Sequence, residues 1–234
     1  MAVAEAKMKS DLPVRFASAV VMLAVTIAAA LTGGIWWPSL VAIVGLVTFW
    51  EFARLILRAT ARPVNRAIGI ALAALYVGAA AYVLAHLDSY FLLAALGSVI
   101  FTDTGAYFTG RAIGGPRIAP AISPSKTWAG LIGGMIFAGI FIAGMAFAFY
   151  YIGGYASVSE VLGTASIELV LAWLVGAMLA IAAQAGDFFE SWLKRKAGVK
   201  DSSNLIPGHG GVFDRVDGLL PVALIVGTIG LTAY

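Results

Sequence analysis

"WAGLIGGMIFAGIFIAGMAFAFYYIG", residues 128–153, contains no charged side chain from end to end. About 20 mainly apolar residues suffice for a helix to cross the hydrocarbon core of a bilayer, so this stretch reads as a membrane span. The whole chain agrees with that reading. Apolar residues make up 61% of its 234 positions and charged residues 12%, and its mean hydropathy is +0.95, whereas soluble domains are roughly 45–50% apolar. The protein is an integral membrane protein. It has no cysteine, which excludes disulfides, thiolate nucleophiles and Cys-ligated zinc, so any metal must rest on oxygen or imidazole. The net charge of +3 in such a chain reports topology rather than a nucleic-acid partner, and none is expected.

Working outward from residue 128, a span over 90–110 is uncharged except for Asp103, and a third apolar segment covers 67–87. The second starts after Gly33-Gly34 with Trp36, Trp37 and Pro38 at the interface, and ends near Leu57 with Glu51, Arg54 and Arg58. Glu51 and Arg54 are three apart, so a pairing at a helix end is the expectation. The first span, Phe16–Gly33, follows a polar head with Lys7, Lys9 and Arg15. That head resembles a signal peptide, but a second span follows at once, which favours an uncleaved helix. Beyond residue 153, a Gly/Ser-rich connection with Glu160 leads to a span from Glu168 to Asp187 that can continue to Lys196, and a last apolar segment covers 218–234. His86 and Asp88 fall in a short polar turn.

The expected fold is an all-α polytopic helical bundle of about seven spans with a cytoplasmic N-terminus. Its parts are a head over 1–15, N-terminal helices over 16–88, and a C-terminal region over 89–234 that carries the polar motifs. In this topology all 15 basic residues fall on the cytoplasmic side, while the two outer connections hold acids and no bases, as the positive-inside rule requires. No repeat of fixed period and no linker between soluble domains is present.

Three polar places lie at or near the cytoplasmic face. In "TDTGAYFTGR", residues 102–111, Asp103 stands eight residues before Arg111, about 12 Å along a helix. A carboxylate at that depth faces protein or a watery cavity, as a buried structural acid or as part of a site. In "SPSKTWAG", residues 123–130, Ser123, Ser125, Thr127 and Lys126 stand at a Pro-broken helix entry. They suit either an anion at the helix N-terminus or plain capping with a topology-setting lysine. The third place joins "GDFFESWLKR" to "SWLKRKAGVKDSSNLIPGHGGVFDRVD", residues 191–217. On one helix Asp187, Glu190, Ser191 and Lys194 fall at i, i+3, i+4 and i+7, a single face. Asp214 and Asp217 open the last span, and Gly208, Gly210 and Gly211 permit turns that expose N–H groups to an anion. His209 is either a phosphate donor or acid, or a loop histidine satisfied by backbone.

Carboxylates from two segments suit a hard cation such as Mg²⁺. Zinc fits poorly, because only two histidines exist, far apart. A metal, several cations and glycine-rich backbone make a phosphoryl-transfer toolkit, and no Walker A sequence is present. At the bilayer surface a lipid phosphate could meet a soluble nucleotide.

These residues resemble a known family. The window S-W-L-K-R, K-D-S, P-G-H-G-G and D-R-V-D is similar to the signature of phosphatidate cytidylyltransferases (CDP-diacylglycerol synthases). "DTGAYFTGR" and "SPSKTW" resemble two earlier motifs of that family. The likeness runs from about Val99 to the C-terminus. It implies that CTP and phosphatidate give CDP-diacylglycerol and pyrophosphate, with Mg²⁺ as cofactor and K⁺ admitted alongside. By motif position it implies Asp187, Asp214 and Asp217 as metal ligands. Lys194, Arg195, Lys200, His209 and Arg215 become catalytic phosphate contacts. Asp103, Ser123, Lys126, Thr127, Ser191, Gly208, Gly210 and Gly211 become substrate-binding residues. It also implies a homodimer in the bilayer, which is the inner (plasma) membrane if the source is prokaryotic, and the basic residues place the site on the cytoplasmic side. Two departures stand out: Ala129 replaces the glutamate that usually follows the Trp of "SPSKTW", and the N-terminal spans are fewer.

The rival readings are a transporter, an inactive lipid-binding relative, and a CDP-alcohol phosphatidyltransferase. Transporters place polar groups near the midplane of several helices, often in inverted repeats, whereas here charge gathers towards one face. The DGxxAR…GxxxDxxxD pattern of the third rival is not found in the sequence.

Overall fold

The computed structural model describes residues 2–153 and 157–230, with side chains from residue 13 onward. The sequence expectations for Lys7, Lys9 and the chain beyond residue 230 therefore lie outside the described residues. The protein is an all-α polytopic membrane protein. Six helices among the described residues are long and apolar enough to span a membrane, and Leu219–Gly230 is a shorter apolar helix. The chain divides into two compact units.

The first unit comprises residues 1–86 and 192–217, with α1 (Ala2–Thr32), α2 (Trp36–Ala59), α3 (Pro63–His86) and the short α8 (Phe213–Val216). Positive φ at Gly33 and Gly34, 59° and 54°, makes the tight link between α1 and α2. The hairpin of α2 and α3 closes on small residues, with the site of a Cβ on Gly45 only 3.2 Å from Ala81 Cβ. Trp37 Nε1 donates to the Leu84 carbonyl at 2.8 Å, fixing that end of the hairpin where α2 begins and α3 finishes. At the other end of α2, Arg66 donates to the carbonyls of Thr60 (2.8 Å) and Leu57 (2.9 Å). A cation is thereby supplied where helix carbonyls lack partners.

The second unit comprises residues 87–191 and 218–234. It holds α4 (Ser89–Ile113), α5 (Trp128–Ile152), α6 (Val158–Thr164), most of α7 (Ser166–Lys196) and α9 (Leu219–Gly230). Asp88 caps α4, its carboxylate accepting from Tyr90 N and Phe91 N. Between α4 and α5 lies a feature absent from the helical expectation. Residues 117–119 (β1) and 123–127 (β2) form a two-stranded antiparallel hairpin, so "SPSKT" is a strand. Only its last residue acts as a helix cap, Thr127 Oγ1 accepting from Gly130 N at 3.1 Å.

The packing of α4 on α5 explains why α5 can be apolar all round. Gly130, Gly133, Gly134, Ala138 and Gly139 are buried, while Ile132, Ile136 and Ile140 are exposed. Bulk faces outward and small residues let backbones approach, the pattern by which membrane helices associate. A Cβ on Gly105 would fall 2.6 Å from the Gly133 carbonyl oxygen and 2.7 Å from Phe137 Cβ. The first neighbour is backbone and cannot swing away. Gly105→Ala is therefore expected to destabilise the protein by about 1–3 kcal/mol, seen as a lower unfolding temperature in detergent. An unchanged temperature would contradict this account of the α4–α5 interface.

Candidate active site

In the second unit, α4, the β2–α5 corner and α7 enclose a cleft of about 360 Å³. Asp103 and Arg111 line it from α4, Ser125, Lys126 and Thr127 from the corner, and Gln184 and Asp187 from α7. The first two polar motifs and the start of the third thus meet in one place. The hairpin is what delivers Lys126, since it turns the chain back so that Lys126 Nζ binds Asp187 Oδ2. The Lys126 ammonium also sits 4.9 Å from the centre of the Phe188 ring. Arg111 Nη1 donates to the Tyr107 hydroxyl at 2.8 Å. Ser191 Oγ reaches Asp187 Oδ1 at 3.4 Å, consistent with the i, i+4 spacing. Ser123 stands apart, buried at the opposite end of β2. Ala129 contributes its carbonyl, which accepts from Thr109 Oγ1 at 3.1 Å.

In the first unit the signature segment folds around two carboxylates. Asp214 Oδ1 accepts from Lys194 Nζ at 2.5 Å. Its Oδ2 accepts from Ser202 N (2.9 Å), Ser202 Oγ (2.8 Å) and Gly211 N (2.7 Å). The Gly211 N–H, expected to greet an anion, is thus committed to Asp214. Gly208 and Gly210 take φ of 75° and 83°, the left-handed region that favours glycine. His209 Nδ1 lies 2.8 Å from Ser18 Oγ, so its side chain is satisfied by a hydroxyl of α1 rather than by backbone. Arg215 Nη2 donates to the His209 carbonyl at 3.0 Å. Lys200 is exposed at the start of the loop, and Arg195 is exposed on α7. Asp217 follows α8, its N–H bonded to Phe213 O.

The second carboxylate is Glu51, and here the sequence expectation is corrected. Glu51 does not pair with Arg54. It is fully buried and accepts from Ser202 Oγ (3.0 Å), Ser203 Oγ (2.5 Å), Val212 N (3.1 Å) and Phe213 N (2.6 Å). Arg54 lies over the Trp50 ring instead, 4.8 Å from its centroid. Phe52, next to Glu51, stacks on Phe213 at 4.8 Å. A Cβ on Gly211 would fall 2.6 Å from either Glu51 oxygen, so glycine is required there for space. The signal for Glu51 was present: it is the one acid in the apolar run from Trp36 to Leu57, and an ionisable group at such a place is costly unless used.

The fold defines a class, a polytopic helical membrane protein, and each of its two units carries a cluster of cationic and carboxylate side chains. A family model described as Cytidylyltransferase family matches residues 57–231, and the chain belongs to that family. Among curated relatives, the phosphatidate cytidylyltransferase of Brucella suis biovar 1 (strain 1330) is 45% identical over 132 residues, 55% of this chain and 42% of that protein. The protein of that name from Haemophilus influenzae (strain ATCC 51907 / DSM 11121 / KW20 / Rd) is 45% identical over 117 residues, 50% and 37%. The one from Bacillus subtilis (strain 168) is 34% identical over 157 residues, 64% and 53%. The chain spans about half or less of the length of these relatives. Glu51 and Arg54 precede the segment that the family model matches.

Proposed function

We propose that this chain transfers the cytidylyl group of CTP to phosphatidate, releasing pyrophosphate, at the cytoplasmic face of a membrane. The observation that carries the reading is the α4–α7 cleft, where Lys126, Arg111 and Asp187 line about 360 Å³ between apolar helices. Cations and a carboxylate there suit a phosphate monoester whose acyl chains remain in lipid. The names of the relatives support the same substrates, and the segregation of basic residues supports the orientation.

A phosphatidate phosphate oxygen attacks the α-phosphorus of CTP, the new O–P bond forms, and the bond to the β-phosphate oxygen breaks. No nucleophilic side chain is required. In the second unit Lys126 and Arg111 would orient a bound phosphate and offset its charge, and in the first unit Lys194, Lys200 and Arg215 would offer cations to a phosphate there; such positioning and charge neutralisation supply the larger part of catalysis in phosphoryl transfer. An oxygen-only donor set fits Mg²⁺, which would neutralise phosphate charge and polarise the α-phosphoryl group. Asp187 fits best as its ligand: its side chain is 35% exposed, in a cleft that Asp103 also lines. Asp214 is 5% exposed and already accepts four hydrogen bonds, so ligation there requires Lys194 to leave Oδ1. Homodimerisation remains part of the proposal.

Purified protein in detergent with CTP, phosphatidate and Mg²⁺ is expected to release pyrophosphate only when both substrates are present. Release from CTP alone would indicate hydrolysis and contradict the reading. Folded protein without turnover would favour an inactive lipid-binding relative.

A further inference from the structure

A second polar pocket lies within the first unit, about 450 Å³ in volume, large enough for part of a small molecule. Its lining includes Arg54 and Arg58 of α2 and Lys200, Asp201, Ser203 and Asn204 of the loop. We infer that this pocket is a phosphate-binding site that takes the β- and γ-phosphates of the nucleotide and holds the departing pyrophosphate. The inference rests on the proposed use of CTP and adds two residues, Arg54 and Arg58, that no motif contains.

Three observations carry it. First, the cations are available. Among the described residues, Arg58 and Lys200 make no hydrogen bond or ion pair, in contrast to Lys126 and Lys194, which are held by aspartates. Asp201 pairs with none of the three, so the lining is net positive by one acid against three bases. Arg54 is steadied by the Trp50 ring, a contact that leaves its N–H donors free to fork onto phosphate oxygens. Second, the ordinary reason for arginines at a helix C-terminus, service to the last carbonyls, is met by Arg66. Arg54 and Arg58, one turn apart, share a face and are not needed for that task. Third, the walls are almost wholly polar, Val199 being the single apolar lining residue. A phosphate on a soluble nucleotide fits such walls, whereas a diacyl lipid needs an apolar one. The floor is held in place because Ser202 and Ser203 are both tied to Glu51.

The test titrates inorganic pyrophosphate into the full chain in detergent by calorimetry and measures KM for CTP and for phosphatidate separately. Arg58→Ala is expected to weaken pyrophosphate binding and raise KM for CTP about tenfold, with KM for phosphatidate unchanged. Arg54→Ala/Arg58→Ala should do so further, and Arg58→Lys should recover part of the loss. Arg62→Ala, an exposed arginine four residues beyond Arg58 that does not line the pocket, should have no effect, and thermal unfolding should confirm that each variant folds. Unchanged pyrophosphate affinity in the double variant would overturn the inference, as would an equal effect of Arg62→Ala. A rise in KM for phosphatidate in place of CTP would assign the pocket to the lipid phosphate and overturn it too. If the unmutated protein turns over no CTP, the activity reading fails, and the calorimetric arm alone decides the pocket.

Discussion

Glu51→Ala is expected to abolish measurable turnover and to lower the stability of the protein by roughly 3 kcal/mol or more. The carboxylate is fully buried and serves two serine hydroxyls and two backbone N–H groups. Each buried donor left without a partner costs about 1–3 kcal/mol, and the hydroxyls can recover part of this by turning while Val212 N and Phe213 N cannot. The loss reaches the chemistry through the same atoms. Ser202 Oγ touches both Glu51 and Asp214, and Phe213 N begins the turn that carries Asp214. Glu51→Gln keeps the shape but points an amide N–H₂ at donors, so it should be nearly as damaging, while Glu51→Asp, one methylene short, should retain some activity. Unfolding temperature and pyrophosphate release measured on the same preparations check this. Wild-type values of both in Glu51→Ala would refute the role assigned to this residue.

Asp187→Asn is expected to separate activity from stability. Its side chain is partly exposed and its lysine partner 19% exposed, and an ion pair of that kind contributes only about 0–1 kcal/mol. The folded protein should therefore survive the change almost unaltered. Turnover should fall by about a hundredfold to a thousandfold, the range seen when a group that stabilises developing charge is removed, and the dependence on Mg²⁺ concentration should move to higher values. Asp214→Asn should behave differently, costing stability as well, because an amide nitrogen placed among Lys194, Ser202 and Gly211 leaves donors facing donors. Full activity in Asp187→Asn would remove it from the metal site.

The spans were legible in the sequence because hydrocarbon solvent imposes a simple length and polarity rule, which is met by every helix from α1 to α5 and by α7. The i, i+4 contact of Asp187 and Ser191 was legible for a similar reason, since helical geometry alone sets it. The hairpin over residues 117–127 was not. Its strands are short, and Ser-Pro-Ser-Lys-Thr looks equally like a helix entry, so only the return of the chain reveals that Lys126 meets Asp187. The place of Glu51 is not legible either, because Arg54 offers a local partner three residues away, while its real partners are some 150 residues distant. Local spacing carries no information about such contacts. The glycines of α5 read as apolar composition, yet they act as clearance for α4 and for Trp173, whose indole nitrogen would lie 2.6 Å from a Cβ on Gly139.

The central claim, that this chain moves a cytidylyl group onto a lipid phosphate, is tested most directly by following label from CTP. With the label in the α-phosphate, radioactivity should appear in the lipid fraction in step with pyrophosphate release. With the label in the γ-phosphate, it should appear only in the aqueous pyrophosphate. Label from the γ-phosphate in the lipid would mean phosphorylation, not cytidylyl transfer, and would contradict the account.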